Sequence, residues 1–209
     1  MVRVYLAEFP YTKGEPKEQS KWARILLRQA LEEEGLRLED PVPLQRDVYG
    51  KPFLLEHSDI QINLSHSKGY VACAIGEKPV GIDVECWRGR RGRERVVKKF
   101  HPLEQEAYWA AEEGERERLF YELWVLKESF LKADGRGLLI PLASFYMEGI
   151  CREQGGVMQQ ERAENYYYKQ YRMEGRSFSL AVCSMEACFA EKPVFLELMH
   201  ECSHDDECS

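Results

Sequence analysis

A pair of carboxylates and a lysine-bearing helix carry most of the chemistry in this chain. In Pro79-Val80-Gly81-Ile82-Asp83-Val84-Glu85 the acids alternate with apolar residues. Residues two apart on a strand leave from the same face, so Asp83 and Glu85 point together. Two carboxylates side by side repel unless a cation or water compensates them. Oxygen-only ligation of this kind suits Mg²⁺, which takes one or two carboxylates together with phosphate oxygens and water. The plain alternative is an exposed strand face. A further set lies on Phe120 to Lys132. At 3.6 residues per turn, Leu119, Leu123, Leu126 and Phe130 share an apolar face, while Trp124, Glu128 and Lys132 form a stripe. Alone, Glu128 and Lys132 are an i,i+4 pair worth about 0.2–0.5 kcal/mol. Facing a strand, they offer a carboxylate and, one turn on, a cation for a phosphate. Lys127 falls beside the apolar arc, where its ammonium must snorkel or meet an acid. The turns Gly50-Lys51-Pro52 and Ser65-His66-Ser67 add cations and hydroxyls of the kind that hold phosphates.

These groups need elements to position them. Val2 to Phe9 reads as a strand stopped by Pro10, and the spacing of Trp22, Ile25, Leu26, Ala30 and Leu31 predicts a helix over Gln19 to Gly35. A proline-punctuated connector over Leu36 to Lys51 follows. Strands are predicted at Ile60 to Ser65, Tyr70 to Gly76 and Pro79 to Glu85. The second part is helical over Val96 to Glu113 and Glu115 to Ala133, the latter ended by Asp134-Gly135-Arg136-Gly137. Strand-like pieces return at Ser144 to Met147, Tyr166 to Met173 and Phe178 to Ser184. Tyr70-Val71-Ala72-Cys73-Ala74-Ile75 and Phe178-Ser179-Leu180-Ala181-Val182-Cys183 echo each other. The pattern predicts an α/β (α+β) fold of two related halves, 1–99 and 100–192, followed by a flexible acidic tail, 193–209. That tail carries metal-ligand residue types (His200, Cys202, His204, Cys208) without the paired spacing of a zinc site.

Composition sets the outer bounds. The chain has 209 residues, of which 44% are hydrophobic and 31% charged, with a formal net charge of -7. No apolar run approaches the roughly 20 residues that span a bilayer, and Met1-Val2-Arg3-Val4-Tyr5 lacks a signal layout. Seven cysteines, an odd number, fit reduced thiols in a cytoplasm. The acidic balance argues against non-specific nucleic-acid binding. The exception is Arg88 to Lys99, with Arg88, Arg90, Arg91, Arg93, Arg95, Lys98 and Lys99 against Glu94. It is either a solvated loop and helix face or a contact for an anionic partner.

The ordered set Tyr49-Gly50-Lys51-Pro52, Asn63-Leu64-Ser65-His66-Ser67, Gly81-Ile82-Asp83-Val84-Glu85, Phe100 to Glu104, Leu123-Trp124-Val125-Leu126-Lys127-Glu128-Ser129-Phe130-Leu131-Lys132 and Gly135-Arg136-Gly137-Leu138 resembles the 4′-phosphopantetheinyl transferases of the surfactin-synthetase-activating (Sfp) type. The resemblance runs from about residue 45 to 147, with a weaker echo to about 190. It implies two pseudo-symmetric α/β halves in one chain and, with them, a monomer. It also implies transfer of the phosphopantetheine arm of coenzyme A to a serine of an apo acyl or peptidyl carrier protein, releasing adenosine 3′,5′-bisphosphate. Asp83, Glu85 and Glu128 are the Mg²⁺ ligands it implies, and Lys132 sits at the pyrophosphate. Lys51, Ser65 and His66 line the nucleotide pocket, and Glu104 matches a glutamate proposed as a base. Lys21 stands where the family often has an arginine for the 3′-phosphate, and Lys lacks the bidentate fork. The basic segment Arg88 to Lys99 follows the carboxylate strand directly, and would steer an acidic carrier to it.

Two other readings use the same residues. A Mg²⁺-dependent hydrolase of coenzyme A or nucleotides would release pantetheine phosphate from coenzyme A alone. A non-catalytic coenzyme A-binding module would keep its function after Glu128→Gln.

Overall fold

In the computed structural model, which describes residues 1–10, 16–87, 89, 92–150, 152–159 and 165–198, the elements occur as a repeated series. The first runs β1 (Arg3–Glu8), α1 (Pro16–Glu33), the short hairpin β2 (Leu44–Arg46) and β3 (Pro52–Leu54), then β4 (Gln61–Ser67) and β5 (Tyr70–Gly76). The second begins with β6 (Val80–Cys86), inserts α2 (Arg93–Val97) and α3 (Pro102–Ala110), and continues with α4 (Arg116–Asp134). It closes with β7 (Phe145–Met147), β8 (Gln154–Gln159), β9 (Tyr166–Tyr171) and β10 (Phe178–Ser184), and β11 (Val194–Phe195) follows. One sheet has the order β11-β1-β5-β4, the other β6-β10-β9-β8-β7. In each, the first strand of the series pairs antiparallel with the last, and the last with the one before it. The fold is thus mixed α/β with internal pseudo-symmetry. The two echoing apolar runs are β5 and β10, which hold the same place in their sheets.

Strand periodicity divides the apolar residues among three cores. Tyr5 and Ala7 of β1 and Cys73 and Ile75 of β5 pack under Trp22, Leu26, Leu27 and Leu31 of α1. The opposite faces, with Val4, Leu6, Ala72 and Ala74, meet Ile82, Val84, Leu180 and Val182 of the second sheet. The outer face of that sheet, with Ala181 and Cys183, carries Leu126, Phe130 and Ala133 of α4. The layers are therefore helix, sheet, sheet, helix. Each fully buried Leu, Ile, Val or Phe contributes about 1.5–3 kcal/mol.

Three sequence expectations change. The helix expected over Val96 to Glu113 is broken into α2 and α3. Pro102 lacks an N–H, and His101 caps α3: its Nδ1 accepts from Leu103 N while Glu104 Oε2 accepts from His101 N. The repeated series restarts at β6, a strand within 1–99, and β6 pairs with β10. The expected tail from 193 begins as structure. Val194 and Phe195 pair in parallel with Tyr5 and Leu6, because Leu196 N donates to Leu6 O at 3.0 Å. Residues 199–209, with the His and Cys group of the tail, lie outside the described residues. Among the described residues no helix is long and apolar enough to cross a membrane.

Candidate active site

Glycine at position 81 lets β6 and α4 approach. A Cβ there would lie 2.1 Å from Ser129 O and 2.3 Å from Ala133 N, inside the backbone of α4. Strand and helix touch at this point, and the next residues on the same face, Asp83 and Glu85, run along α4. Asp83 is buried. Its Oδ1 accepts from Lys132 Nζ at 2.7 Å and from Ser65 Oγ at 2.8 Å, while Oδ2 is buried with no hydrogen-bond partner. Burial pushes the Asp83 carboxyl above the usual range, against the pull of Lys132 and Ser65. Glu85 is half-buried, and its Oε2 accepts from Ser67 Oγ at 2.8 Å. Lys132 also donates to Ser65 Oγ and to Ile82 O, both at 3.0 Å.

Beside this contact lies a cleft of about 270 Å³, lined by Tyr49, Lys51, Asn63, Glu128, Lys132 and Gly135 among others. The hairpin β2–β3, strand β4 and the end of α4 build its walls. Lys51 Nζ donates to Ala133 O at 2.9 Å, which places a cation on the negative end of α4. Its burial lowers its pKa to about 8, against Asp47 and Asp134. Gly135, in the left-handed region at φ 92°, ends the helix with its N–H on Leu131 O, so the chain turns away and leaves the cleft open.

The structure brings together Lys51, Glu128 and Lys132 on the cleft, with Asp83 and Glu85 beside them. Ser65 is buried, and its hydroxyl serves Asp83, Lys132 and Val84 N. His66 is exposed on β4. Desolvation, and then the Lys132 ammonium, lower its pKa. Lys21 is exposed on α1 and does not line the cleft. The acid 2.7 Å from Lys132 is Asp83, a contact between helix and strand. Among the described residues no group of three His, Cys, Asp or Glu side chains could hold a metal ion. Of the three carboxylates the resemblance implies as Mg²⁺ ligands, Asp83 and Glu85 lie on one face of β6 and Glu128 lines the cleft. What the site does offer a divalent cation is hard oxygen donors and the unpartnered, buried Asp83 Oδ2, which fits an ion completed by phosphate and water oxygens.

Glu104 is corrected outright. It is fully buried, Oε2 lies 2.7 Å from Lys127 Nζ, and Oε1 accepts from Met147 N at 3.1 Å. No substrate proton can reach it. Lys127 spends its other donors on Leu142 O and Phe145 O, at 2.8 and 2.9 Å, over the Phe145 ring. Sequence reasoning gave Ser67 to a phosphate-holding turn and Asn63 no role of its own; both are bonded to β6. The signal available was their alternation on β4, facing away from Ile62 and Leu64.

Sequence comparison places this arrangement in a known class. Residues 79–183, from β6 through β10, match the family model described as the 4′-phosphopantetheinyl transferase superfamily. The chain is 33% identical over 146 residues to a 4′-phosphopantetheinyl transferase of Bacillus subtilis, covering 68% of this chain and 63% of the relative. It is 30% identical over 171 residues to the 4′-phosphopantetheinyl transferase Sfp of Bacillus subtilis (strain 168), covering 80% and 74%. To the 4′-phosphopantetheinyl transferase gsp of Aneurinibacillus migulanus it is 39% identical over 106 residues, covering 50% and 43%. The chain spans less than two thirds of the first and third of these relatives. It belongs to the 4′-phosphopantetheinyl transferase superfamily, and its similarity is to members of the Sfp type.

Proposed function

We propose that this chain transfers the 4′-phosphopantetheine arm of coenzyme A to a serine of an apo acyl or peptidyl carrier protein. The products are the loaded carrier and adenosine 3′,5′-bisphosphate. The observation that carries the reading is the family match over the β6–β10 segment, which contains the Asp83–Lys132 contact beside an open, cation-lined cleft.

In this reading the cleft takes the nucleotide end of coenzyme A, with Lys51 neutralising phosphate charge. Asp83, Glu85 and Glu128 would hold Mg²⁺, which when bound would supply charge withdrawal at the pyrophosphate. Lys132 stabilises charge growing on the leaving phosphate. With Glu104 sealed away and Glu128 committed to the cation, a water of the cleft is left to take the serine proton. Positioning and electrostatics dominate, as in other phosphoryl transfers. The carrier docks at the basic segment, of which Arg95, Lys98 and Lys99 are exposed and Arg93 is 3.2 Å from Glu117; Arg88, Arg90 and Arg91 lie outside the described residues. Cys73, Cys86 and Cys183, buried and outside any disulfide, support a reducing, cytoplasmic setting, and the paired sheets within one chain support a monomer.

Mass spectrometry of several apo carriers after incubation with coenzyme A and Mg²⁺ tests the proposal. A gain equal to the phosphopantetheine arm on a serine supports it. Pantetheine phosphate released without a carrier would turn the reading to a hydrolase, and neither product would turn it to a binding module.

A further inference from the structure

We propose that Ser67, with Ser65, positions the carboxylate pair by binding the carboxylate strand and its acids with the same hydroxyl. β6 is an edge strand of its sheet, and its outward N–H groups need partners. No carbonyl ladder supplies them. The side chains of β4 do: Ile82 N donates to Asn63 Oδ1 at 2.9 Å, Val84 N to Ser65 Oγ at 3.2 Å, and Cys86 N to Ser67 Oγ at 3.2 Å. The register steps two residues on each strand, so the three bonds form a regular seam.

The two serines do something that Asn63 does not. Each hydroxyl accepts from a backbone N–H and gives its own proton to the preceding acid, Ser65 to Asp83 Oδ1 and Ser67 to Glu85 Oε2, both at 2.8 Å. A hydroxyl has one proton and two lone pairs, and accepting from the strand orients that proton. One oxygen of each acid is therefore bonded toward β4. At Asp83 the other oxygen, Oδ2, is left buried and unpartnered, with its side chain held. Ser65 shares this work with Lys132, whereas Ser67 is the position at which hydroxyl and acid can be separated from the lysine.

The inference rests on the reading that Asp83 and Glu85 hold a divalent cation. Outer partners that orient ligating carboxylates change metal affinity by about 10- to 100-fold when removed. The experiment titrates Mn²⁺ into the full chain at saturating coenzyme A, following the free-ion electron paramagnetic resonance signal, beside thermal unfolding of each variant. Ser67→Ala is expected to weaken Mn²⁺ binding by about 10-fold or more. Ser184→Ala, which removes a buried hydroxyl bonded to Pro79 O and Glu186 N away from the cleft, is expected to lower the unfolding temperature and to leave Mn²⁺ affinity within about threefold, a shift below that range. Ser67→Thr, which keeps the hydroxyl, is expected to restore binding. Should Ser67→Ala fail to fold, Ser67→Cys, close in size with a far weaker donor, takes its place. Equal Mn²⁺ affinity in Ser67→Ala and wild type would overturn the positioning role and leave the cation reading standing. Absence of Mn²⁺ binding in wild type would overturn both.

Discussion

Two lysines of α4, Lys127 and Lys132, each meet a buried acid at 2.7 Å, and the two pairs do opposite things. Lys127 and Glu104 are sealed on every side, and every polar contact is made to backbone or to each other. Burial pushes the Glu104 carboxyl up and the Lys127 ammonium down, and their mutual attraction opposes both shifts. The pair ties α3, α4 and β7 together. Lys132 and Asp83 sit at the edge of a cleft, the lysine partly exposed and the acid with a spare oxygen. An ion pair with no capacity left over is structure, and one that keeps an unsatisfied oxygen has capacity for a further partner.

The sharpest way to break the contrast is Gly81→Val. Its side chain would enter the α4 backbone, separating Lys132 from Asp83 while leaving Lys127 and Glu104 in place. Turnover is expected to fall by at least about 100-fold, the scale of an ångström of misplacement, with a clear loss of thermal stability. Lys127→Met comes next. It strands a buried carboxylate, and denaturant unfolding should show a loss of about 3–5 kcal/mol. Combining it with Glu104→Leu should recover most of that loss and, because Glu104 is no base, most of the turnover; a double variant that is stable but inert would restore Glu104 to the chemistry. Lys132→Met also strands a buried acid, but one that Ser65 still bonds and whose lysine is partly exposed, so the stability loss should be smaller than for Lys127→Met, while turnover falls by about 100- to 1000-fold.

The smallest effect is a pH dependence at Lys51. Its ammonium is present below about 8 and lost above. Coenzyme A affinity should therefore hold steady up to that pH and weaken above it, while Lys51→Arg should flatten the profile. Stability without ligand should move the other way. Between about 8 and 10.5 the unfolded chain keeps a proton that the folded chain has released, so folding strengthens as pH rises.

Much of this was legible in the residues. The alternation of Ile82 and Val84 with Asp83 and Glu85 predicted β6 and its acidic face, and β10 was predicted over the same residues, Phe178 to Ser184, that the structure shows. The helical spacing around Trp124 predicted α4, and the oddly placed Lys127 was expected to snorkel or to meet an acid, of which the structure shows the second. The identity of that partner was not legible, because Glu104 lies on another helix, and only packing shows that α3 closes over α4. The spacing on α4 offered Glu128 as one neighbour for Lys132, and the close approach at Gly81 brings Asp83 to that lysine from the strand. Three strands were missed, the first being Leu44–Arg46, inside the expected connector. Gln154–Gln159 contains Gly155 and Gly156, which blunt strand patterning, and Val194–Phe195 is too short to show a period.

The join between the sheets has a bearing on variation. A ladder of peptide groups is the same whatever residues occupy it, so substitution scarcely tunes it. Where Asn63, Ser65 and Ser67 stand in for such a ladder, a single codon change can lengthen, weaken or re-aim one rung. The spacing of the two acids relative to the cleft is thus open to adjustment one residue at a time, with the rest of both sheets undisturbed.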